Sequence, residues 1–243
     1  PAPSPPPVDK RHDPREVVEL RALKARSPEL AGVVDLHLEL FDLIKRVQGR
    51  VPVPWFDLTD ALVAQHATSG APLLAYGDLR VQPTDLRLLV RQIADALIRH
   101  DVLDEEDVPV VKDIERRSDL PVLVEAWFVG DRDRRVPVTG PGTPDVPSAL
   151  AQVFTLALRP WLGKCADALQ ERRELDAWRH AYCPLCGSEP GLAVVAPDGR
   201  TFLMCARCTL RWPHDSDACP FCENANASLM SSFGDRKSTR LNS

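Results

Sequence analysis

Six of the seven cysteines in this 243-residue chain fall between residues 183 and 222, as the pairs Cys183-Pro-Leu-Cys186, Cys205-Ala-Arg-Cys208 and Cys219-Pro-Phe-Cys222. Two cysteines separated by two residues can turn back in a tight knuckle that aims both sulfurs at one ion while backbone N–H groups point at the sulfurs. Gly187, directly after the first pair, supplies the positive φ that often follows such a turn. The competing use of Cys-x-x-Cys, a catalytic dithiol, belongs to a thioredoxin-like βαβ pattern that this chain lacks. Disulfides would suit an exported chain, but the proline-rich start, Pro1 to Pro7, has no apolar export segment and reads as a flexible leader over residues 1–12. Paired thiols therefore point to metal ligation in a reducing compartment, and a cytoplasmic protein is expected.

The residues between the first two pairs strengthen this reading. Leu192 to Ala196, then Asp198-Gly199, then Thr201 to Met204 read as strand, two-residue hairpin turn and strand, with a third strand at Thr209 to Trp212. The hairpin would return Cys205 and Cys208 to the side of Cys183 and Cys186. A ribbon of this size has no core of its own and needs a metal to hold it. Cys183, Cys186, Cys205 and Cys208 are assigned to one complete site, and Cys219 and Cys222 to half of another; chain order alone leaves other pairings of the third unit open. The 21 residues after Cys222 hold no cysteine or histidine, and His214 is the nearest further ligand. From Phe233 the chain turns polar and basic, so residues 230–243 are expected to be a disordered or non-native tail in place of the natural end. Four thiolates in tetrahedral geometry suit zinc and iron alike.

Residues 13–180 are dominated by the 3.6-residue period of helices. Ser27-Pro28 reads as a cap before a helix carrying Leu30, Val33, Val34, Leu40, Phe41, Ile44 and Val47, with His37 on the same face and Gly49 at its end. Thr84 reads as the cap of a second helix through Leu86, Leu89, Val90, Ile93, Ala94, Leu97 and Ile98. Weaker helical patterns cover Arg15 to Ala25, Leu58 to His66 and Pro121 to Val129. Residues 131–146 form a loop by composition, and a last helix begins near Pro147 and runs through Trp161, Cys165 and Leu175, with Pro160 expected to kink it. The expected fold is thus α plus small β: an all-α domain over 13–180 followed by a metal-ribbon region over 181–229.

Several function classes are excluded. The longest apolar segment, Leu30 to Val47, carries five charges, so no spanning helix is expected and the protein should be soluble. No nucleophile elbow, phosphate-binding glycine loop or Rossmann fingerprint occurs, and nothing nominates an active site. Cys165 sits at helical spacing among apolar residues and reads as a buried small hydrophobe. A nucleic-acid-binding zinc ribbon is the alternative function, but residues 181–229 set three arginines against five carboxylates, the wrong sign for phosphate contacts, and the whole chain carries a net charge of -5.

At the cysteine pairs the chain resembles the formate dehydrogenase accessory protein family, FdhE. The resemblance rests on Cys183-Pro-Leu-Cys186-Gly187-Ser188 with the small residues and Pro190 that follow, the hairpin to Cys205-x-x-Cys208, Trp212 shortly after, and Cys219-x-x-Cys222. Arg21 to Gln48 and the helix before the first knuckle are also similar. The family has four Cys-x-x-Cys pairs in tandem rubredoxin- or zinc-ribbon-like modules; here the last pair is absent, and Glu223 stands where a glycine would be comfortable. The resemblance implies a non-enzymatic maturation factor that binds the catalytic subunit of formate dehydrogenase, a molybdenum or tungsten enzyme, in the cytoplasm. It implies iron in a rubredoxin-type site, with zinc as the other metal that suits the ligands.

Overall fold

A computed structural model of the chain describes residues 14–52, 59–133, 146–170, 173–196 and 200–214. The Cys219 and Cys222 pair, the Asp198-Gly199 turn and most of the 131–146 loop lie outside them. The described residues are mostly helical: α1 (Arg15–Arg26), α2 (Ala31–Gln48), α3 (Asp60–Ser69), α4 (Pro83–Arg99), α5 (Asp107–Ile114), α6 (Leu120–Asp133) and α7 (Ser148–Leu169). A three-stranded antiparallel sheet follows, β1 (Pro190–Val195), β2 (Thr201–Cys205) and β3 (Arg211–Pro213), in the order β1-β2-β3. This is the expected combination of a helical part and a small ribbon. Among the described residues no helix is long and apolar enough to cross a membrane. The chain divides into two compact units, one holding 14–52, 80–130 and 146–161, the other 59–79, 131–133, 162–170, 173–196 and 200–214.

In the first unit α4 is the central element. Leu86, Leu89, Val90, Ile93 and Leu97 recur on one face and are fully buried, each contributing about 1.5–3 kcal/mol relative to exposure. Its start differs from the sequence reading, because Pro83 occupies the first turn and Gln82 is the N-cap, leaving Thr84 inside the helix. Against α4 packs α2, tied to it by Glu39, whose carboxylate accepts from Arg99 at 2.5 Å and pairs with His100 at 3.0 Å. The Arg99 hydrogen bond is the main reason the Glu39 carboxyl sits below its ordinary range, with His100 adding to it against the opposing effect of burial. The helix α1 joins α2 through Lys24, which donates to both Asp35 oxygens.

Two features of this unit escaped the sequence pattern. The buried stripe of α2 is Val34, Leu36, Leu40 and Leu43, so Val33 stands 55 % exposed and His37 points outward with it. Ser27 caps no helix with its side chain; it precedes a 3-10 turn, Pro28–Leu30, and α2 begins only at Ala31. The short α5 carries Pro109 in its first turn, where a proline is tolerated because that N–H has no partner within the helix. Arg87 closes the far end of α5 by donating to the carbonyls of Glu115 and Arg117 at 2.7 and 2.8 Å. Trp127 of α6 meets Phe154 of α7 edge to face, at 5.6 Å between ring centres.

The second unit begins with α3, capped by Thr59, whose hydroxyl accepts from the Leu62 N–H. Gly70 ends it at φ 70°, and a Cβ there would fall 2.8 Å from His180 Nε2 and 2.9 Å from the Tyr182 hydroxyl, so glycine is required twice over. The last turns of α7 bury Leu162, Cys165 and Leu169, while Leu175 lies in a separate 3-10 turn, Arg173–Ala177, that packs on α3. In the sheet, Ala193 faces Leu203 and Leu203 faces Trp212. The Ala196 N–H donates to the Arg200 carbonyl at 2.8 Å, continuing the β1-β2 ladder beyond the last strand pair.

Candidate metal centre

Both knuckles of the ribbon are built on one hydrogen-bond plan. In the first, the Cys183 N–H donates to Ser188 O at 2.9 Å and the Gly187 N–H to Cys183 O at 2.9 Å. In the second, the Cys205 N–H donates to Leu210 O at 3.0 Å and the Thr209 N–H to Cys205 O at 3.1 Å. The residue after each pair is left-handed, Gly187 at φ 75° and Thr209 at φ 65°. Glycine takes this conformation at no steric cost, whereas a β-branched threonine is strained in it. That strain is held in place by the turn, and the Thr209 hydroxyl donates to the Cys208 carbonyl at 2.6 Å.

The hairpin brings the two knuckles face to face. Cys183 Sγ and Cys208 Sγ lie 3.5 Å apart, as do Cys186 Sγ and Cys205 Sγ. All four sulfurs lie within 4.8 Å of one another, and all four residues are buried. Four sulfurs placed tetrahedrally about 2.3 Å from one ion would be separated by about 3.8 Å, so this donor set fits a zinc- or iron-sized ion. The Arg207 and Cys208 N–H groups both point at Cys205 Sγ, each at 3.3 Å, which is how a knuckle disperses thiolate charge.

Burial and mutual hydrogen bonding shift Cys183, Cys205 and Cys208 in different directions. Burial pushes Cys183 and Cys208 well above the ordinary thiol range, and hydrogen bonds with the other thiols reinforce the shift at Cys208. Burial acts on Cys205 in the same sense, but the hydrogen bonds it accepts from Cys183, Cys186, Cys208 and the backbone outweigh it and hold this thiol well below that range. Cys165 is also buried, and burial, with Asp78 and Cys186 nearby, pushes its thiol up to about 12, which makes it an inert apolar group.

The surroundings of the site come from far away in sequence. The Leu73 and Leu74 N–H groups donate to Pro184 O and Leu185 O, at 2.8 and 2.9 Å, so the segment after α3 lies along the first knuckle. The Tyr182 hydroxyl donates to Gly70 O at 2.6 Å across 112 residues. Trp178 donates to Tyr182 O and Trp212 to His180 O, closing an aromatic cluster in which His180 stacks on Tyr182. Trp212 is fully buried, whereas Phe202 is half-buried beneath Arg200.

Of the six cysteines marked in sequence, the structure brings Cys183, Cys186, Cys205 and Cys208 together, and Cys219 and Cys222 lie outside the described residues. His214 is half-buried at the end of β3, with its N–H on Thr201 O. The role of Thr209 was missed, although laying the second pair over the first puts it at the place of Gly187. The contacts of Leu73 and Leu74 have no local sequence signal. Arg207 is likewise unexpected, a cation only 2 % exposed between two of the sulfur-bearing residues.

Among solved structures, the chain is similar to the crystal structure of the FdhE protein from Pseudomonas aeruginosa, with a TM-score of 0.52 and 20 % identity over 88 % of this chain and 73 % of that one. Neither a family model nor a curated protein matches the sequence. At this identity the likeness is one of fold, and the chain has an FdhE-like fold.

Proposed function

We propose that this chain is an accessory factor in the maturation of formate dehydrogenase, binding the catalytic subunit of that enzyme rather than catalysing a reaction itself. The observation that carries this reading is an FdhE-like fold in which four buried cysteines close on one another at metal-ligand distances. Cys183, Cys186, Cys205 and Cys208 would hold a zinc or iron ion, which as zinc would staple the ribbon and as iron would add one-electron chemistry. Cys219 and Cys222 belong to this proposal as half of a second four-thiolate site. A site closed by four protein ligands leaves no position for a substrate, which supports a binding role. The two knuckles fix the ribbon's backbone, so the surface it offers to a partner depends on the ligands. The place of action under this reading is the cytoplasm.

The test is co-purification of the tagged chain, prepared without oxygen, with analysis of bound protein and of iron and zinc per chain. Capture of the formate dehydrogenase catalytic subunit, lost in Cys183→Ser together with the metal, is the expected result. A metal-loaded chain that captures nucleic acid and no subunit would hand the case to the nucleic-acid-binding ribbon.

A further inference from the structure

The first unit contains a cavity of about 480 Å³ that the metal centre does not use. One wall is α2, where Val33, Leu36 and Leu40 present an apolar surface; Leu97 of α4 continues it. On the α7 side the lining residues are Gln152, Thr155 and Arg159, spaced so that they share one helix face, with Leu156 beside them. The neighbouring face of α7 is the apolar one, with Val153, Phe154, Ala157 and Leu158 fully buried. The lining is therefore mostly apolar along α2 and α4, where His37 and His100 interrupt it, and carries a guanidinium with two further polar side chains on α7. Its volume falls within the range of about 300–1,000 Å³ usual for small-ligand sites.

We propose that this cavity binds a small amphipathic organic anion, its apolar chain lying against α2 and its carboxylate meeting Arg159. The charges at the wall favour this polarity. Glu39, the carboxylate partner of the lining residue His100, has each oxygen engaged, one by Arg99 and one by His100. His37 is engaged with its own helix through Val33 O at 2.7 Å. Arg159 is the permanent cation of the lining, and its five donors in a planar fork let it hold a ligand carboxylate in addition to a protein neighbour. A single planar fork matches the two oxygens of one carboxylate. Val33, exposed by 55 %, is the apolar surface such a ligand would cover.

The test is calorimetric titration of the full-length, metal-loaded chain with octanoate, and with octan-1-ol as its uncharged counterpart. Saturable binding of octanoate is expected, with octan-1-ol weaker by about tenfold or more, the usual worth of a charge-assisted hydrogen bond. Arg159→Gln should weaken octanoate by a similar factor without affecting octan-1-ol, and Arg159→Lys should recover part of the loss. Gly32 lines the same cavity and has nothing within 4 Å of a built Cβ, so Gly32→Trp should fill the mouth and abolish binding of both ligands at unchanged helix content. Absence of saturable octanoate binding would overturn the proposal, as would octanoate affinity unchanged in both Arg159→Gln and Gly32→Trp. Binding of an amphipathic peptide but not of octanoate would also overturn it and assign the groove to a protein partner. None of these readouts involves formate dehydrogenase, so they stand apart from the maturation reading.

Discussion

The backbone N–H of Leu74 donates to the carbonyl of Leu185, inside the first Cys-x-x-Cys pair, at 2.9 Å, and Leu73 makes the same contact with Pro184 at 2.8 Å. The knuckle is thus hydrogen-bonded both to its own turn and to a segment that precedes it by more than a hundred residues. Anything that holds the first knuckle in place also holds Leu73 and Leu74.

Chelation of the metal should therefore raise amide exchange at Leu73 and Leu74 along with that of the ribbon, while the fully buried face of α4 keeps its protection. Hydrogen exchange on the full chain, before and after chelator, measures this. Unchanged exchange at Leu73 and Leu74 in a chain shown to have lost its metal would sink the coupling.

Gly70→Ala should destabilise the second unit. The new Cβ meets His180 and Tyr182 below 3.0 Å and must also adopt φ 70°, for a cost of about 1–3 kcal/mol. A lower denaturation midpoint of the metal-loaded chain is expected, accompanied by loss of the Trp178 near-ultraviolet signal because that ring packs edge-on against both residues. A midpoint equal to that of the parent chain would show that the loop shifts freely.

Thr209→Gly should stabilise the ribbon by about 1 kcal/mol, since relief of the left-handed strain exceeds the entropy that glycine adds to the unfolded chain. Chelator-competition and chemical denaturation both report it. A destabilised variant would mean that the Thr209 hydroxyl bond to Cys208 O outweighs the strain.

Metal affinity should rise with pH. Cys183 and Cys208 are held protonated by burial in the metal-free chain and must lose those protons to become ligands, so the ion competes with protons and binding releases them. The sign follows: affinity falls as the solution is acidified and climbs until the raised thiols ionise unaided. Competition with a chromophoric chelator at about pH 6 and about pH 8 checks it. Cys165→Ala should leave this profile unchanged, because that thiol is no member of the four-sulfur group.

Much of this architecture could be read without coordinates because it depends on short-range rules. Two residues between cysteines, a glycine after the second, and alternating apolar residues on either side of Asp198-Gly199 are local instructions, and each is met within a few residues of where it is written. The same holds for α4, whose apolar stripe was wide and unbroken enough to fix both its period and its buried face. In α2 the apolar residues cover more than one face, so the period identified the helix but not its orientation. The packing partner decided it, burying Leu36 and Leu43 and leaving Val33 outside.

The division has a physical basis. By itself the sequence determined the donor set, the ribbon and the helical character of the rest, since ligand type, turn chemistry and hydrophobic period are properties of neighbouring residues. Only the tertiary structure decided that Leu73 and Leu74 brace the first knuckle, that Gly70 must make room for His180 and Tyr182, and that an apolar wall of α2 and Arg159 of α7 line one cavity. Those relationships join residues separated by tens to more than a hundred positions, and no local pattern encodes which distant surface will fill a given space.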